Sequence, residues 1–189
     1  MILLTHYMLS GFTNGYILAA KPDGPACIVN PGSFDTHLLD ILEAHKLYPR
    51  VVLVTTPEPQ HTRGIETLLR IYNARVFAAA PVREAPRTEI VEDGIYLDYA
   101  GLQTRVIALP ESRPDAVAYS CGHYLFPGNV LQAGTVMIAE DTYQTIHLRA
   151  MVRQKLLSLP ESTVVLPSIG PPTTVGTELR TNIDVTSGY

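Results

Sequence analysis

A short apolar run followed by a polar, proline-containing loop most constrains how this chain can fold. Residues 51–54 read Val-Val-Leu-Val, a continuous apolar run typical of a buried β-strand. Residues 55–60 form a polar loop with two prolines, and Thr62 after it is a candidate N-cap for a helix. The apolar positions that would share one face of that helix are Ile65, Leu68, Leu69 and Tyr72. Because α/β folds place ligands where a strand leads into a helix, this loop is the first candidate for a functional site.

The segments on either side of this loop predict further strands and helices. Apolar runs at residues 2–8, 15–20 and 26–30 predict strands, and the helix after them is expected to run to about Leu47. More strands are predicted at residues 75–80, 102–109 and 163–167. The alternation of strands and helices favours a layered α/β fold.

Two later segments carry recognisable turn and cap signals. Asp93-Gly94 is a favourable turn dipeptide, and it predicts that residues 89–98 form a pair of strands joined by a tight turn. Asp141 and Gln144 predict a capping box at the start of a long helix. The apolar side of that helix is expected to carry Leu148, Met151, Val152 and Leu156.

Composition excludes several classes of function. A chain of 189 residues is expected to form a single domain over residues 1–189, with no additional C-terminal domain. The net charge of −4 and the lack of a basic run argue against nucleic-acid binding. No apolar stretch reaches the roughly 18 residues of a membrane span, and no signal peptide is recognisable, so we expect a cytoplasmic protein. Cys27 and Cys121 each lie in an apolar run and are interpreted as small buried hydrophobes.

Several motifs in sequence order resemble those of one known superfamily. They are Asn30-Pro-Gly, the loop from Thr55 to Gly64, Leu109-Pro-Glu-Ser-Arg-Pro, Leu125-Phe-Pro-Gly-Asn and Val165-Leu-Pro-Ser-Ile-Gly-Pro-Pro-Thr-Thr-Val-Gly-Thr-Glu. Together they resemble the metallo-β-lactamase superfamily, in its glyoxalase II-like branch, whose signature loop reads T-H-x-H-x-D-H-x-G-G. The resemblance covers nearly the whole chain. It implies a four-layer αβ/βα sandwich with the loop at residues 55–62 at one edge, between two facing sheets.

The same resemblance implies where metal ligands would lie, and most of them are replaced. The family's ligand positions fall on Thr56, Glu58, Gln60, His61, Ser112, Asn129 and Ile169. Only His61 is the family's own residue type. Glu58 could ligate a metal, whereas the amide oxygens of Gln60 and Asn129 suit zinc poorly. Ile169 cannot ligate, and Asn129 replaces the aspartate that bridges two metals, so two dications would repel each other. We expect no cofactor; if one binds, it is a single divalent metal (zinc, iron or manganese) on His61 and Glu58.

The individual residues leave alternatives open. His61 could serve packing alone or belong to a ligand pocket, and Glu58 could be a solvated loop carboxylate or the partner of His61. Ser112 with His61 and Glu58 would make a nucleophile, base and orienting set, but Ser112 lacks the G-x-S-x-G elbow that exposes a nucleophile. Arg113 could contact an anionic ligand or face solvent.

Two functions from different classes follow. In the first, the protein has lost its metal centre and is a non-catalytic binding or regulatory module for an unknown small molecule or protein partner. In the second, it is a glyoxalase II-like or thioesterase-like hydrolase with an altered mononuclear or metal-free site. In either case the pocket candidates His61, Glu58, Gln60, Ser112 and Asn129 are expected to converge on one cleft. Thr56, Arg113 and Ile169 are the expected binding residues around it.

Overall fold

Two β-sheets of six strands each lie at the centre of the fold. The structure is a computed structural model and describes residues 1–186. Neighbouring strands of the first sheet follow chain order, with antiparallel pairing among the first three and parallel pairing from the third to the sixth. These strands are β1 (Ile2–Met8), β2 (Thr13–Ala19), β3 (Pro25–Val29), β4 (Tyr48–Leu53), β5 (Arg75–Ala78) and β6 (Thr88–Ile90).

The second sheet has the order β14-β13-β10-β9-β8-β7, and its one parallel pair is β10 with β13. Its strands are β7 (Tyr96–Tyr99), β8 (Leu102–Ala108), β9 (Val117–Cys121), β10 (Tyr124–Phe126), β13 (Val164–Val165) and β14 (Thr173–Thr174). A separate two-stranded hairpin consists of β11 (Leu131–Gln132) and β12 (Thr135–Val136).

Helices cover the outer face of each sheet. They are α1 (Thr36–Ala44), α2 (Pro59–Thr62), α3 (Ile65–Ile71), α4 (Thr142–Met151), α5 (Val175–Thr181) and α6 (Ile183–Thr186). A π-helical segment, Val152–Leu156, continues α4 and buries Val152 and Leu156, two of the apolar positions predicted for that helix. Within residues 1–186, no helix combines the length and the apolar character that crossing a membrane requires.

Three apolar clusters divide the molecule into four layers. The inner cluster joins the two sheets and includes Tyr16 and Leu53 of the first sheet and Phe126 of the second. One outer cluster packs the first sheet against α1 and α3, and the other packs the second sheet against α4, the π-helical segment and α5. Alternating side chains of the central strands, such as β2, β3, β4, β9 and β10, therefore enter different clusters, as expected of sheets that are buried on both faces. The predicted α/β fold, a four-layer αβ/βα sandwich, is confirmed.

Two buried tyrosines connect the sheets by hydrogen bonds. The Tyr119 hydroxyl on β9 donates to the Val54 carbonyl, 3.2 Å away, just beyond the end of β4. The Tyr16 hydroxyl on β2 donates to the Pro167 carbonyl, 2.7 Å away, just beyond β13. Both bonds lie where strands of facing sheets end, so they fix the relative position of the loops that leave those strands.

Three local predictions were wrong in their details. Asp93-Gly94 is not a hairpin turn, because β6 before it belongs to the first sheet and β7 after it belongs to the second. Thr62 does not cap α3; it ends α2, and its hydroxyl donates to the Glu58 carbonyl. The first helix ends at Ala44 rather than near Leu47. A local turn signal cannot tell a hairpin from a crossover between sheets, since the two differ only in the partner of the following strand.

Candidate functional site

The loop at residues 55–62 contacts both sheets where it leaves β4. The Thr55 backbone N–H donates to Asn30 Oδ1, 2.9 Å away, next to β3 in the first sheet. The Thr55 carbonyl accepts a 2.9 Å hydrogen bond from the N–H of Val117 in the second sheet. The one-turn helix α2 then begins at Pro59, a residue well suited to a first helical turn. The loop thus lies at one edge of the molecule, between the sheets.

Glu58 is the centre of the polar contacts in this loop. Its Oε1 accepts a 2.7 Å hydrogen bond from Arg113 Nη1. Its Oε2 accepts from Gln60 Nε2 at 2.6 Å and from Asn129 Nδ2 at 3.3 Å. Glu58 is therefore more than a solvated loop carboxylate, although its side chain is 29% exposed, and its charged partner is Arg113 rather than His61.

Arg113 is held on two sides. Besides Glu58, its guanidinium binds Asp115 through two hydrogen bonds of 2.9 Å, Nε to Oδ1 and Nη2 to Oδ2. This fork geometry is the preferred way for arginine to bind a carboxylate. Arg113 is 41% exposed, so it faces solvent in part, while three of its nitrogens bind two carboxylates of the chain itself; contact with an anionic ligand stays a prediction.

His61 is completely buried beside this network. Its Nδ1 lies 2.8 Å from the Thr56 hydroxyl and 3.3 Å from the Thr56 carbonyl oxygen. Its Nε2 is buried, and so is Asn129 Oδ1, and neither atom has a hydrogen-bond partner within the described part of the chain. Burial lowers the pKa of the His61 imidazole below its usual 6.5, and the charge of Arg113 acts in the same direction, against the opposing effects of Glu58, Thr56 and Asn129. The ring is therefore neutral at pH 7.

These donors do not fit the family's metal centre. Such a site needs about three protein ligands per metal from histidine, carboxylate or cysteine. Within residues 1–186 no group of three or more His, Cys, Asp or Glu residues could hold a metal ion. The unpartnered His61 Nε2 and Asn129 Oδ1 offer one imidazole and one neutral amide oxygen, while the Glu58 oxygens are both taken by hydrogen bonds.

Ser112 and Ile169 lie outside this hydrogen-bonded cluster. Ser112 is half-buried and lines a surface cavity of about 450 Å³ between its own loop and α4, beside Tyr143 and His147. Within residues 1–186 its hydroxyl makes no hydrogen bond to His61 or Glu58, so the structure does not assemble the proposed nucleophile set. Ile169 is partly buried, and its expected place among the binding residues around the cleft stays a prediction.

Sequence reasoning missed two residues that organise the site. Asp115 fixes the Arg113 guanidinium, and the Ser168 hydroxyl accepts a 2.9 Å hydrogen bond from Asn30 Nδ2. The contact of Asp115 with Arg113 had a signal in the sequence, because the two oppositely charged residues are two positions apart in one loop. No local pattern points to the second, because the two bonded residues are 138 positions apart.

The buried imidazole predicts that the protein loses stability in mild acid. Because the folded-state pKa of His61 is lowered, both states are neutral above about pH 6.5, and this group contributes no pH dependence there. Below that pH the unfolded chain takes up a proton that the folded chain refuses, so the free energy of unfolding falls until the folded-state pKa is reached. Urea unfolding between pH 7.5 and 5.5 measures the slope, and ring NMR shifts of His61 give its pKa. A His61→Phe variant should show a smaller slope; an unchanged slope, or a His61 pKa above 6.5, would contradict the prediction.

Comparisons with known proteins agree on the fold. No family model matches the chain. The hydroxyacylglutathione hydrolase of Methylobacillus flagellatus is 34% identical over 158 residues, which are 82% of this chain and 61% of that protein. The protein of the same name from Pectobacterium carotovorum is 29% identical over 150 residues, 78% of this chain and 58% of that one. The chain thus spans less than two thirds of the length of these curated relatives.

Solved structures are similar over nearly the full described chain. The crystal structure of ETHE1 from Myxococcus xanthus superposes with a TM-score of 0.86 at 20% identity, covering 100% of this chain and 86% of that one. The BLEG-1 B3 metallo-β-lactamase superposes with a TM-score of 0.84 at 23% identity, covering 98% and 100%. At such identities the likeness establishes the fold.

Proposed function

We propose that this chain, which belongs to the metallo-β-lactamase-fold superfamily, is a non-catalytic member that acts as a binding or regulatory module. One observation carries the proposal. At the place where the fold's metal chemistry is done, the only imidazole in the hydrogen-bonded cluster is His61, and the nearby carboxylate of Glu58 is bound by three side chains of the chain itself. A hydrolytic metal must be held firmly enough to lower the pKa of its bound water towards about 7. Without that, the fold alone supplies no chemistry.

The partner of such a module would be a small molecule or another protein. Cavities beside the cluster offer places for contact. One of about 410 Å³ is lined by Glu58, Pro59, Gln60 and Arg63, and Arg113 is among the residues that line the cavity next to Ser112. Both are open and carry charged side chains in their lining, Glu58 and Arg63 in one and Glu111 and Arg113 in the other, which favours a polar ligand or a protein surface over a wholly apolar small molecule.

A hydrolase with an altered site is the second candidate. The names of the curated relatives favour it, since they are hydroxyacylglutathione hydrolases. The unpartnered His61 Nε2 could act as a metal ligand or as a general base without breaking a hydrogen bond, and the unpartnered Asn129 Oδ1 could add a weak second ligand. In this alternative the site would use a single metal or none.

Metal content and thioester hydrolysis separate the two candidates. The protein is expressed with zinc, iron and manganese supplied, purified without chelator, and analysed for metals. We expect far less than one transition metal per chain and no metal-dependent hydrolysis of thioesters, because two weak donors compete poorly with hydration of the ion. Close to one metal per chain that is lost in His61→Ala would overturn the proposal and support the mononuclear hydrolase. Thioester hydrolysis by metal-free protein that is lost in His61→Ala would support the metal-free one.

A further inference from the structure

The cluster around Glu58 joins loops that are far apart in the chain. Glu58 follows β4, Arg113 lies between β8 and β9, and Asn129 follows β10. The Glu58–Arg113 pair spans 55 residues and the Glu58–Asn129 pair spans 71. One loop thus comes from the first sheet and two from the second, so any group at the centre links the two halves of the molecule.

A single cation lies at the centre of these contacts. The Arg113 guanidinium binds Glu58 from one loop and Asp115 from its own, so one positive charge is set between two negative ones. Both carboxylates are only partly exposed: the side chain of Glu58 is 29% accessible and that of Asp115 is 24% accessible. A positive group that bridges carboxylates at a loop junction offsets part of their negative charge, as a bound cation would.

We propose that the Arg113 guanidinium is a built-in replacement for the metal: it neutralises Glu58, ties the loops of the two sheets together and keeps divalent cations out. This inference rests on the proposed non-catalytic function and explains how the fold keeps its loop junction without a metal. It also assigns Arg113 a positioning role that no local sequence pattern indicated.

The exclusion of metal has two physical parts. First, three side chains already hold the Glu58 carboxylate, Arg113 at Oε1 and both Gln60 and Asn129 at Oε2, so an ion would have to compete with them. Second, a dication near His61 would be repelled by the fixed positive charge of Arg113. Removing the guanidinium would leave Glu58 Oε1 without its charged partner, in the same cluster as the unpartnered His61 Nε2 and Asn129 Oδ1.

The first test measures the coupling between Arg113 and Glu58. Urea unfolding with excess EDTA is compared for wild type, Glu58→Gln, Arg113→Gln and the double variant. We expect the unfolding equilibrium constants to show a coupling of about tenfold, since the pair is partly buried. The matched control is the exposed pair of Arg75 and Glu89, whose side chains are 61% and 42% accessible. Its coupling should stay below about threefold.

The second test asks whether the guanidinium excludes a metal. Co²⁺ is titrated into wild type, Arg113→Ala and Arg113→Lys, with Arg113→Gln as a further neutral variant in case Arg113→Ala fails to fold. We expect the neutral variants to bind Co²⁺ at least about tenfold more tightly than wild type, and Arg113→Lys to show no gain because the charge is kept. Adding His61→Ala to the neutral variant should abolish the gain.

The inference requires both results. Coupling no larger than in the control pair, or equal Co²⁺ affinity in wild type and the neutral variants, would overturn it. Neither outcome touches the proposed function, which fails only if wild-type protein carries a stoichiometric metal or hydrolyses thioesters.

Discussion

Gly32→Ala is expected to lower the free energy of unfolding by about 4 kcal/mol or more, enough to unfold much of a marginally stable domain. A Cβ at this position would lie 1.8 Å from the Gln60 carbonyl oxygen and 2.8 Å from the Gln60 carbonyl carbon. These are backbone atoms of α2, so no rotamer change can relieve the clash. The loop after β3 and the site loop would have to separate. Urea unfolding, with circular dichroism for the fold, measures the loss.

Other glycines supply controls for this prediction. Gly64→Ala should lower the free energy of unfolding by a similar amount, because its Cβ would lie 2.5 to 2.6 Å from backbone atoms of Pro31 and Ser33. Gly24→Ala should be nearly neutral, because the nearest atoms would be 3.7 Å away, an ordinary contact distance. If Gly32→Ala is no more destabilising than Gly24→Ala, the two loops do not pack as closely as described.

Asn30→Ala is expected to cost about 3 kcal/mol of stability. Asn30 is buried, and its amide makes three hydrogen bonds: Oδ1 accepts from the Thr55 N–H, and Nδ2 donates to the hydroxyls of Thr55 and Ser168, at 2.8 to 2.9 Å. Its φ of 52° is left-handed, a conformation that asparagine tolerates better than alanine. The substitution leaves a buried backbone N–H unpaired and adds backbone strain, so denaturant unfolding should report both effects.

Two further variants separate these effects. Asn30→Gly removes the hydrogen bonds without the conformational penalty, so it should be about 1 kcal/mol less destabilising than Asn30→Ala. Asn30→Asp keeps an acceptor for the Thr55 N–H, and both hydroxyls can rotate to donate, so it should cost least of the three. A stability of Asn30→Ala equal to that of wild type would mean that this amide does not hold the site loop in place.

Much of the fold could be predicted from local patterns. The apolar run at residues 51–54 indicated a buried strand, and the structure has β4 ending at Leu53 with Val54 also buried. The cap signal of Asp141 was correct, because its Oδ1 accepts a 2.8 Å hydrogen bond from the Gln144 N–H. Such features follow from side-chain periodicity and hydrogen bonds within a few residues, which the chain encodes locally. The order of the motifs then indicated how the layers are arranged.

Which side chains contact one another in the site could not be predicted from the sequence, because it depends on the tertiary structure. Ser112 and Arg113 are neighbours in one loop, yet only Arg113 reaches Glu58, while Ser112 lines a cavity against α4. The sequence by itself led, through its resemblance to the superfamily, to the prediction that most metal-ligand positions carry other residue types and that His61 and Glu58 stand at two of these positions. Only the tertiary structure decided that Glu58 binds Arg113 and that His61 is buried and neutral. The physical reason is that the contacts of Glu58 join segments up to 71 residues apart. Their free energies depend on side-chain burial and on the direction of hydrogen bonds, which no local pattern specifies.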